Sequence, residues 1–394
     1  MIIRGKTEVK SLIEFVWYKY IGAIFRILPI KRGRIVFSNF YGRGFADNPK
    51  YIAQEYIKRN SENIQLVWLI KGKRKSSIPK EIKQVRRGTI LELYYLYTAN
   101  VWIDNCRKHF GIVKRKGQFY VQTWHAGIGL KKCEKDISDT FNKTYLKSAI
   151  NDSKMADLFL SNSKWETDLY KNCFWYDGKI LEVGLPREDI LYEKKGDCYK
   201  KVCEKFGIEL GTNIVVYAPT FRDSGDCSSY NVDYNRVIKA LKKRFKNSNW
   251  VILLRYHPNV KMNDNDNKKG FNIINTTEYP DINDLILASE LLITDYSCCM
   301  FDGLLANKKV ILYASDLDRF KKNGRGILFT INELPFSIAT NNDELEMKIL
   351  EFSNTRYSSD RLKFFEKCGI VFDGTATEKV VDYINKTYIK KEKK

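Results

Sequence analysis

The segment Leu292-Ile293-Thr294-Asp295-Tyr296-Ser297-Cys298-Cys299-Met300-Phe301-Asp302 decides the fold class. Its apolar start predicts a short buried strand, its middle a small polar turn, and its end the first turn of a helix. Short apolar strands that alternate with amphipathic helices are typical of a parallel sheet covered by helices on both faces. The segment therefore indicates an α/β protein.

The same alternation extends in both directions from this segment. The predicted strands are Arg34–Phe40, Ile64–Ile70, Val101–Asp104, Phe119–Trp124, Leu158–Ser161, Ile180–Val183, Ile214–Ala218, Trp250–Arg255, Phe271–Ile274, Leu291–Thr294 and Val310–Tyr313. The predicted helices are Pro49–Arg59, with Asn48 as its N-cap, then Ile90–Thr98, Lys164–Phe174, Val232–Phe245, Ile282–Ala288, Met300–Ala306, Asp343–Phe352 and Ala376–Ile384.

The length of 394 residues exceeds what a single core usually supports. A polar stretch between about Glu188 and Thr212 separates the two sets of strands. The sequence therefore predicts two tandem Rossmann-like, doubly wound domains over residues 33–200 and 201–394, after an N-terminal amphipathic helix over residues 1–32. Two such domains place a cleft between the carboxyl ends of their sheets, which is the GT-B architecture.

The N-terminal segment from Val9 to Ile30 is rich in aromatic and aliphatic residues. Charges at Lys10, Glu14, Lys19 and Arg26 interrupt it, so no uncharged run is long enough to cross a bilayer. We do not expect a signal peptide, because no small-residue cleavage site follows a clean apolar core. Its apolar residues and the basic cluster Lys31-Arg32-Gly33-Arg34 suit a helix at an anionic membrane surface. A helix packed on the protein's own domain explains the pattern equally well.

The net charge of +21 calls for an anionic partner, such as nucleic acid, an anionic membrane or a phosphorylated substrate, although a lysine-rich proteome would raise the same count. No recognition-helix, RNP or zinc-finger pattern is present, so nucleic acid is not an expected partner. The chain has nine cysteines, none of them in a C-x-x-C pair, and three histidines. We therefore do not expect a zinc site. We also expect these thiols to be reduced, in the cytosol.

Two of the three histidines follow predicted strands. His125 lies in Gln122-Thr123-Trp124-His125-Ala126-Gly127, and His257 lies in Leu254-Arg255-Tyr256-His257-Pro258. Histidine is the usual proton carrier near neutral pH, which makes both candidates for acid–base chemistry. A structural role, such as a bond to a backbone carbonyl, is an equally good interpretation of each.

Two further segments suit the binding of phosphate. Arg222 follows the strand in Tyr217-Ala218-Pro219-Thr220-Phe221-Arg222 and is able to meet a phosphate as a planar fork. Ser297 and the first N–H groups of the following helix form a second candidate phosphate site. Ordinary helix capping and a surface arginine are the alternatives.

Together these motifs resemble the CDP-glycerol glycerophosphotransferases, the polymerases and primases of teichoic acid and related capsule synthesis. The resemblance covers residues from about 33 to 385 and also includes Asp47-Asn48-Pro49, Leu130-Lys131-Lys132, Asp281-Ile282-Asn283-Asp284, Asp316–Phe320, Arg325-Gly326 and Phe372-Asp373-Gly374. Where such proteins commonly read Trp-His-Gly-Thr-Pro, this chain has Trp124-His125-Ala126-Gly127-Ile128, which leaves the acceptor open. Where they commonly read Tyr-Ser-Ser, it has Tyr296-Ser297-Cys298, which leaves the role of Cys298 open.

The resemblance implies a role for each candidate residue. His125 and His257 become the catalytic pair. The donor's phosphates are bound by Arg222, Ser297, Cys298 and Lys132. Further contacts to the donor or to the cleft come from Thr220, Arg255, Asp295, Asp302 and Arg325.

The implied reaction is a phosphoryl transfer. A hydroxyl of a lipid-linked or glycan acceptor, such as a saccharide on polyprenyl diphosphate, attacks the phosphorus that bears the alditol of CDP-glycerol or a related CDP-alditol, and CMP leaves. His125 is the general base, and His257 stabilises or protonates the leaving phosphate. No cofactor is required, no carboxylate-rich metal cage is evident, and a divalent ion is left open. The expected location is the cytoplasmic face of the membrane, as a peripheral protein.

Two other functions remain as alternatives. A GT-B glycosyltransferase that uses a nucleotide sugar would have the same fold. A non-enzymatic protein that binds nucleic acid or membranes would explain the charge but not the motifs at the strand ends.

Overall fold

The structure is a computed structural model that describes residues 9, 11–61, 63–192, 196–220, 222, 229–246, 249–257, 260, 272–323 and 326–389. The chain divides into two compact units. The first unit comprises Met1–Gly127, Cys133–Asp189 and Val371–Lys394, and the second comprises Ile128–Lys132 and Ile190–Ile370.

The first unit contains a seven-stranded parallel sheet with the order β3-β2-β1-β4-β5-β6-β7. The strands are β1 (Lys31–Ser38), β2 (Gln65–Ile70), β3 (Lys83–Arg86), β4 (Ala99–Asp104), β5 (Phe119–Gln122), β6 (Leu158–Ser161) and β7 (Lys179–Glu182). The helices are Asp47–Lys58, Ile90–Thr98, Lys143–Met155, Lys164–Cys173 and Ala376–Ile384, and the short helix Asp189–Tyr192 spans the point in the chain where the first unit passes into the second. The strand order reverses between β1 and β4, which is where α/β sheets usually bind ligands.

Both faces of this sheet are buried. Ile35 and Phe37 of β1 point to one face, and Val36 between them points to the other, because successive strand residues alternate. The first face is covered partly by Val380, Val381 and Ile384 of the last helix of the unit, and all three are fully buried. The described chain thus has the apolar, doubly covered strands that the sequence predicts.

The N-terminal helix has two apolar faces. Residues 11–16 are helical, Trp17–Ile21 form a π-helical turn and Gly22–Phe25 continue the helix. One face packs on the first unit, where Tyr18 is buried and Tyr97 donates its hydroxyl hydrogen to the Tyr18 carbonyl. The other face is exposed and carries Val9, Leu12, Ile13, Val16, Tyr20, Ile24 and Ile27. No helix in the described ranges is long and apolar enough to cross a membrane.

The second unit contains a six-stranded parallel sheet with the order β10-β9-β8-β11-β12-β13. The strands are β8 (Asn213–Ala218), β9 (Trp250–Leu254), β10 (Ile273–Asn275), β11 (Leu291–Thr294), β12 (Lys309–Tyr313) and β13 (Ser337–Ala339). The helices are Gly196–Phe206, Tyr234–Arg244, Ile282–Ala288, Cys299–Leu305, Leu317–Asn323, Asn342–Leu350 and Asn354–Cys368. Its order also reverses, between β8 and β11.

Some elements differ from the sequence prediction. The helix Ala376–Ile384 packs in the first unit, although the sequence grouped residues 201–394 together, because its apolar side meets the first sheet. The strands Lys83–Arg86 and Ser337–Ala339 were not predicted, since edge strands with polar residues lack an apolar run. Asn48 lies inside the helix that begins at Asp47, so it is not the N-cap.

A buried ionic cluster lies beneath the first unit's loops. Arg107 donates to Glu134 Oε2 at 2.8 Å and to Asp152 Oδ2 at 3.2 Å, and all three side chains are almost fully buried. The guanidinium also lies 5.0 Å from the centre of the Trp124 ring. Burial raises the pKa of Asp152 above its usual value, while the Arg107 charge opposes that shift.

We expect Arg107→Ala to lower the free energy of unfolding by about 3–5 kcal/mol, because two carboxylates would stay buried without their cation. Urea unfolding followed by fluorescence measures this change. The matched control is Arg356→Ala, whose side chain is exposed and pairs with Asp360 at 3.7 Å, and we expect a loss below about 0.5 kcal/mol. Equal stability losses for the two variants would contradict a structural role of the cluster.

Candidate active site

His125 lies just beyond the carboxyl end of β5, at the side of the sheet where its order reverses. Its Nδ1 lies 2.9 Å from the backbone carbonyl oxygen of Asn105. A carbonyl only accepts hydrogen bonds, so this contact assigns the hydrogen to Nδ1 and leaves the lone pair on Nε2. Burial lowers the pKa of His125 below its ordinary value, opposed by the bond to Asn105 and the charge of Asp47. The ring is therefore neutral near pH 7 and able to accept a proton at Nε2.

The backbone around His125 is held in unusual conformations. Trp124, directly before it, has a φ of 51°, and Phe40, Tyr41 and Asp47 also have positive φ values. Such values are strained for residues with side chains and persist only where the surroundings enforce them. Asn48 does part of this, because its amide donates to the carbonyl oxygens of Thr123 and Trp124 at 3.3 and 3.2 Å. These contacts hold the loop in one conformation and so fix the orientation of the His125 side chain.

Gly127 follows His125 in a space too small for any side chain. A Cβ there would overlap Asn162 Nδ2 and would lie 2.8 Å from Glu188 Oε1. These two buried side chains are themselves joined by a hydrogen bond of 2.8 Å from Asn162 to Glu188. Arg187 donates to the His125 carbonyl oxygen at 3.3 Å and thereby also holds the loop. A glycine at position 127, where the resembling proteins commonly have threonine, thus fits the packing of this chain.

Arg222 occupies the corresponding edge of the second unit's sheet, but its donors are already used. Its Nε donates to Asp316 Oδ2 at 2.9 Å, its Nη1 to the Thr220 carbonyl at 2.6 Å, and its Nη2 to Asp295 Oδ2 at 2.8 Å. Although burial opposes it, the charge of Arg222 holds the pKa of Asp316 below its ordinary value. The geometry therefore differs from the free fork that the sequence predicts, since the guanidinium clamps two carboxylates.

This clamp organises the turn after β8. Asp295 accepts the Thr220 N–H at 2.8 Å and is almost fully buried. The Thr220 hydroxyl oxygen is itself buried without a hydrogen-bond partner among the described residues. Tyr296 stacks on Phe320 with ring centres 3.6 Å apart, and the Arg222 guanidinium lies 5.0 Å from the Tyr296 ring. The structure thus brings together Thr220, Arg222 and Asp295, with Asp316 as a fourth member that the site prediction lacked.

The turn before the helix Cys299–Leu305 carries Ser297 and Cys298, both half-buried. The Ser297 hydroxyl accepts the N–H of Cys299, the first residue of this helix, at 3.4 Å. Asp302 lies in the first turn and is buried. Asp295 of the clamp lies only two residues before Ser297, so the clamp and this turn belong to one continuous segment of the chain.

The other predicted site residues have different surroundings. Arg255 donates from Nη1 to the carbonyl oxygens of Thr276 and Thr277, so it holds a neighbouring loop. His257 is exposed, and its carbonyl oxygen accepts the N–H of Val260 at 2.9 Å. Lys132 is exposed and pairs through its backbone N–H with the carbonyl of Gly326. Arg325 lies outside the described residues.

Several polar residues next to the predicted ones had no predicted role. They are Asp47, Asn105, Arg187 and Asp316. Only Asp47 and Asp316 stood within motifs of the resemblance, and the others carry no signal in the sequence, since their partners are distant along the chain. In the described part of the chain, no group of three or more His, Cys, Asp or Glu side chains is arranged to hold a metal ion.

Comparison with known proteins gives consistent results. The profile of the family described as CDP-glycerol:poly(glycerophosphate) glycerophosphotransferase matches residues 21–386. A teichoic acid poly(glycerol phosphate) polymerase of Bacillus spizizenii is 27% identical over 93% of this chain and 95% of its own length. A teichoic acid glycerol-phosphate transferase of Staphylococcus aureus is 31% identical over 97% of this chain and 100% of its own length. The fold is similar to that of the wall teichoic acid polymerase TagF, solved as a histidine variant soaked with CDPG. That comparison has a TM-score of 0.81 and 26% identity, over 98% of both chains.

We expect Arg222→Lys to lower the free energy of unfolding by about 1–3 kcal/mol, although the charge is kept. An ammonium cannot reach two carboxylates and a carbonyl in one plane, so buried acceptors lose their donors. Thermal unfolding measures the change. Arg319→Lys is the control, because Arg319 approaches the same Asp316 at 3.6 Å from a half-exposed position, and we expect it to unfold as the wild type does. A wild-type unfolding midpoint for Arg222→Lys would show that the clamp contributes no stability.

Proposed function

The chain belongs to the CDP-glycerol:poly(glycerophosphate) glycerophosphotransferase family, and from this membership we propose how its residues perform the transfer. It is a transferase that takes glycerol phosphate from CDP-glycerol in teichoic acid synthesis. The acceptor in our proposal is a hydroxyl of a lipid-linked glycan. Its oxygen forms a bond to the phosphorus that bears glycerol, the bond from that phosphorus to CMP breaks, and CMP leaves with the electron pair.

His125 is the general base in this proposal. The observation that carries the assignment is the hydrogen bond between Nδ1 and the Asn105 carbonyl, since it leaves Nε2 free to take the acceptor's proton. The lowered pKa of the ring keeps this nitrogen unprotonated at neutral pH. A loop fixed by Asn48 and Arg187 supplies the orientation that phosphoryl transfer depends on.

The second unit holds the donor in this proposal. Ser297 and Cys298 face the phosphates from their turn, and Lys132 adds positive charge. The Thr220 hydroxyl, which has no hydrogen-bond partner among the described residues, donates to a phosphate oxygen. Arg222 keeps Thr220 and Asp295 in place, so its contribution to donor binding comes through the clamp. His257 stabilises the leaving phosphate, and Arg255, Asp302 and Arg325 support the same site. A GT-B arrangement of the two units is part of this proposal.

We expect His125→Ala to reduce turnover by roughly two to four orders of magnitude, because a general base contributes about that much. The measurement is CMP release from CDP-glycerol in the presence of a lipid-linked acceptor. The matched control is His109→Gln, since His109 contacts Ser11 and the Gly111 N–H beside the N-terminal helix and has no role in the transfer. Near-wild-type turnover of His125→Ala at saturating substrate would remove the base assignment.

The same assay tests the donor and the extent of the reaction. CDP-glycerol should release CMP faster than CDP-ribitol, and UDP-sugars should release no nucleotide. Mass spectrometry of the acceptor then counts the added units. Preferred use of a nucleotide sugar would instead support the glycosyltransferase alternative.

We also propose that the exposed face of the N-terminal helix rests on the cytoplasmic face of the membrane. Val9, Val16, Tyr20 and Ile24, together with the adjacent pair Leu12 and Ile13, follow the three- and four-residue spacing of one helix face, and Ile27 lies in the turn directly after the helix. Lys19 is exposed among them, and Lys31 and Arg32 are exposed just after the helix, where they attract anionic lipid. In this proposal one face of the helix contacts the membrane and the opposite face packs on the first unit, so both interpretations of the segment apply.

We expect the double substitution of Ile13 and Ile24 by Glu to weaken binding to phosphatidylglycerol vesicles by at least about 100-fold. Both side chains are more than half exposed, and inserting each one is worth about 1.5–3 kcal/mol. Vesicle sedimentation measures the affinity, while turnover on a soluble acceptor analogue should not change. Leu362→Glu is the control, since Leu362 is equally exposed on the second unit. Unchanged sedimentation of the double variant would place the anchor elsewhere.

A further inference from the structure

Asn105 is the centre of a buried polar network behind His125. Its side chain is fully buried, and its Nδ2 donates to Asn39 Oδ1 and to Asp47 Oδ2, each at 2.9 Å. Its Oδ1 accepts the N–H of Phe40 at 2.8 Å. Both amide hydrogens and the amide oxygen are therefore used, so the side chain has one orientation.

The backbone of Asn105 passes this orientation on to His125. Its carbonyl oxygen is the atom that lies 2.9 Å from Nδ1 of the imidazole. A residue anchored at three side-chain contacts cannot shift its carbonyl without breaking one of them. The direction of Nε2 is thus set by the contacts of Asn105, which binds the ring at Nδ1.

Asp47 is the charged end of the network and is nearly as buried. One carboxylate oxygen accepts from Asn105, and the other accepts the N–H of Asn48 at 2.8 Å. The backbone of Asp47 has a φ of 60°, in a region that residues other than glycine rarely adopt. Both the carboxylate contacts and the backbone are therefore fixed, as strained residues near active sites often are.

The charges of Asp47, Glu134 and Arg187 act on the His125 ring. Asp47 and Glu134 are negative, and Arg187 is positive and approaches Asp47 Oδ1 at 3.6 Å. When Nε2 takes a proton, the half-buried ring becomes a cation. The negative charge of Asp47 favours that cation, whereas the positive charge of Arg187 opposes it.

We propose that Asp47 and Asn105 are positioning residues for the transfer, with the carboxylate fixing Asn105 and the Asn105 carbonyl holding the imidazole with Nε2 turned towards the acceptor hydroxyl. The proposal rests on the assignment of His125 as general base. It gives this site a carboxylate, an amide and an imidazole in series, with a backbone carbonyl as the link to the ring.

The test uses Asp47→Asn in the full-length protein, with Asp382→Asn as a matched control. Asp382 is an exposed residue of the same unit and pairs with Arg59. An amide at position 47 has one oxygen for two donors, so one bond of the network is lost. We expect turnover to fall 10–100-fold, with less than a twofold change in the KM for CDP-glycerol. The acid limb of the rate profile should shift to lower pH, because removal of the negative charge disfavours the imidazolium. The control should match the wild type in all three.

A second measurement needs no variant. Nitrogen-15 NMR of the wild-type protein should show His125 as the tautomer that carries its hydrogen on Nδ1. The other tautomer, or an Asp47→Asn variant with a wild-type turnover and pH profile, would overturn the proposal. Failure of the base assignment looks different, since His125→Ala would then retain activity whatever the tautomer.

Discussion

The reversal of strand order between β1 and β4 is the constraint on which the first unit's site depends. The connections after these two strands run in opposite directions, so the sheet leaves an opening at their carboxyl ends. Asn39 follows β1, Asn105 follows β4, and His125 follows β5 next to them. Residues that are far apart in the chain meet at one edge because parallel strands all end there. The hydrogen bond from the imidazole to Asn105 is a product of that topology.

The second unit uses the same topology for a different purpose. Its order reverses between β8 and β11, and there the turn after β8 meets the turn after β11 through Arg222 and Asp295. Asp316, which follows β12, completes the clamp. A cation enclosed by two carboxylates fixes the backbone of three loops at once. In the first unit, the loop that carries His125 is held by the Asn48 amide and the Arg187 guanidinium, and the carbonyl that binds the imidazole belongs to Asn105, whose amide is held by Asp47.

Much of the fold could be predicted from the sequence, because strands buried on both faces are continuous apolar runs. Leu158–Ser161 and Leu291–Thr294 were predicted at their observed bounds. The edge strand Lys83–Arg86 was missed, since three of its four residues are polar and no alternation shows in so short a run. The positions of His125 and Arg222 at strand ends were equally visible. Their partners were not, because Arg222 meets Asp295 and Asp316 across 73 and 94 residues, and Asn105 meets Asp47 across 58.

The helix Ala376–Ile384 has a consequence for how the chain is made. Val380, Val381 and Ile384 fill the core of the first unit, yet they follow the whole of the second unit in sequence. During synthesis the residues of the second unit, which end at Ile370, leave the ribosome before this helix does. The first sheet is translated first, but the part of its face that this helix covers stays open until the second unit has emerged. Nascent chains of this protein therefore expose part of an apolar sheet face between the synthesis of β7 and that of Ala376–Ile384, and that interval is when a holding chaperone has a surface to bind.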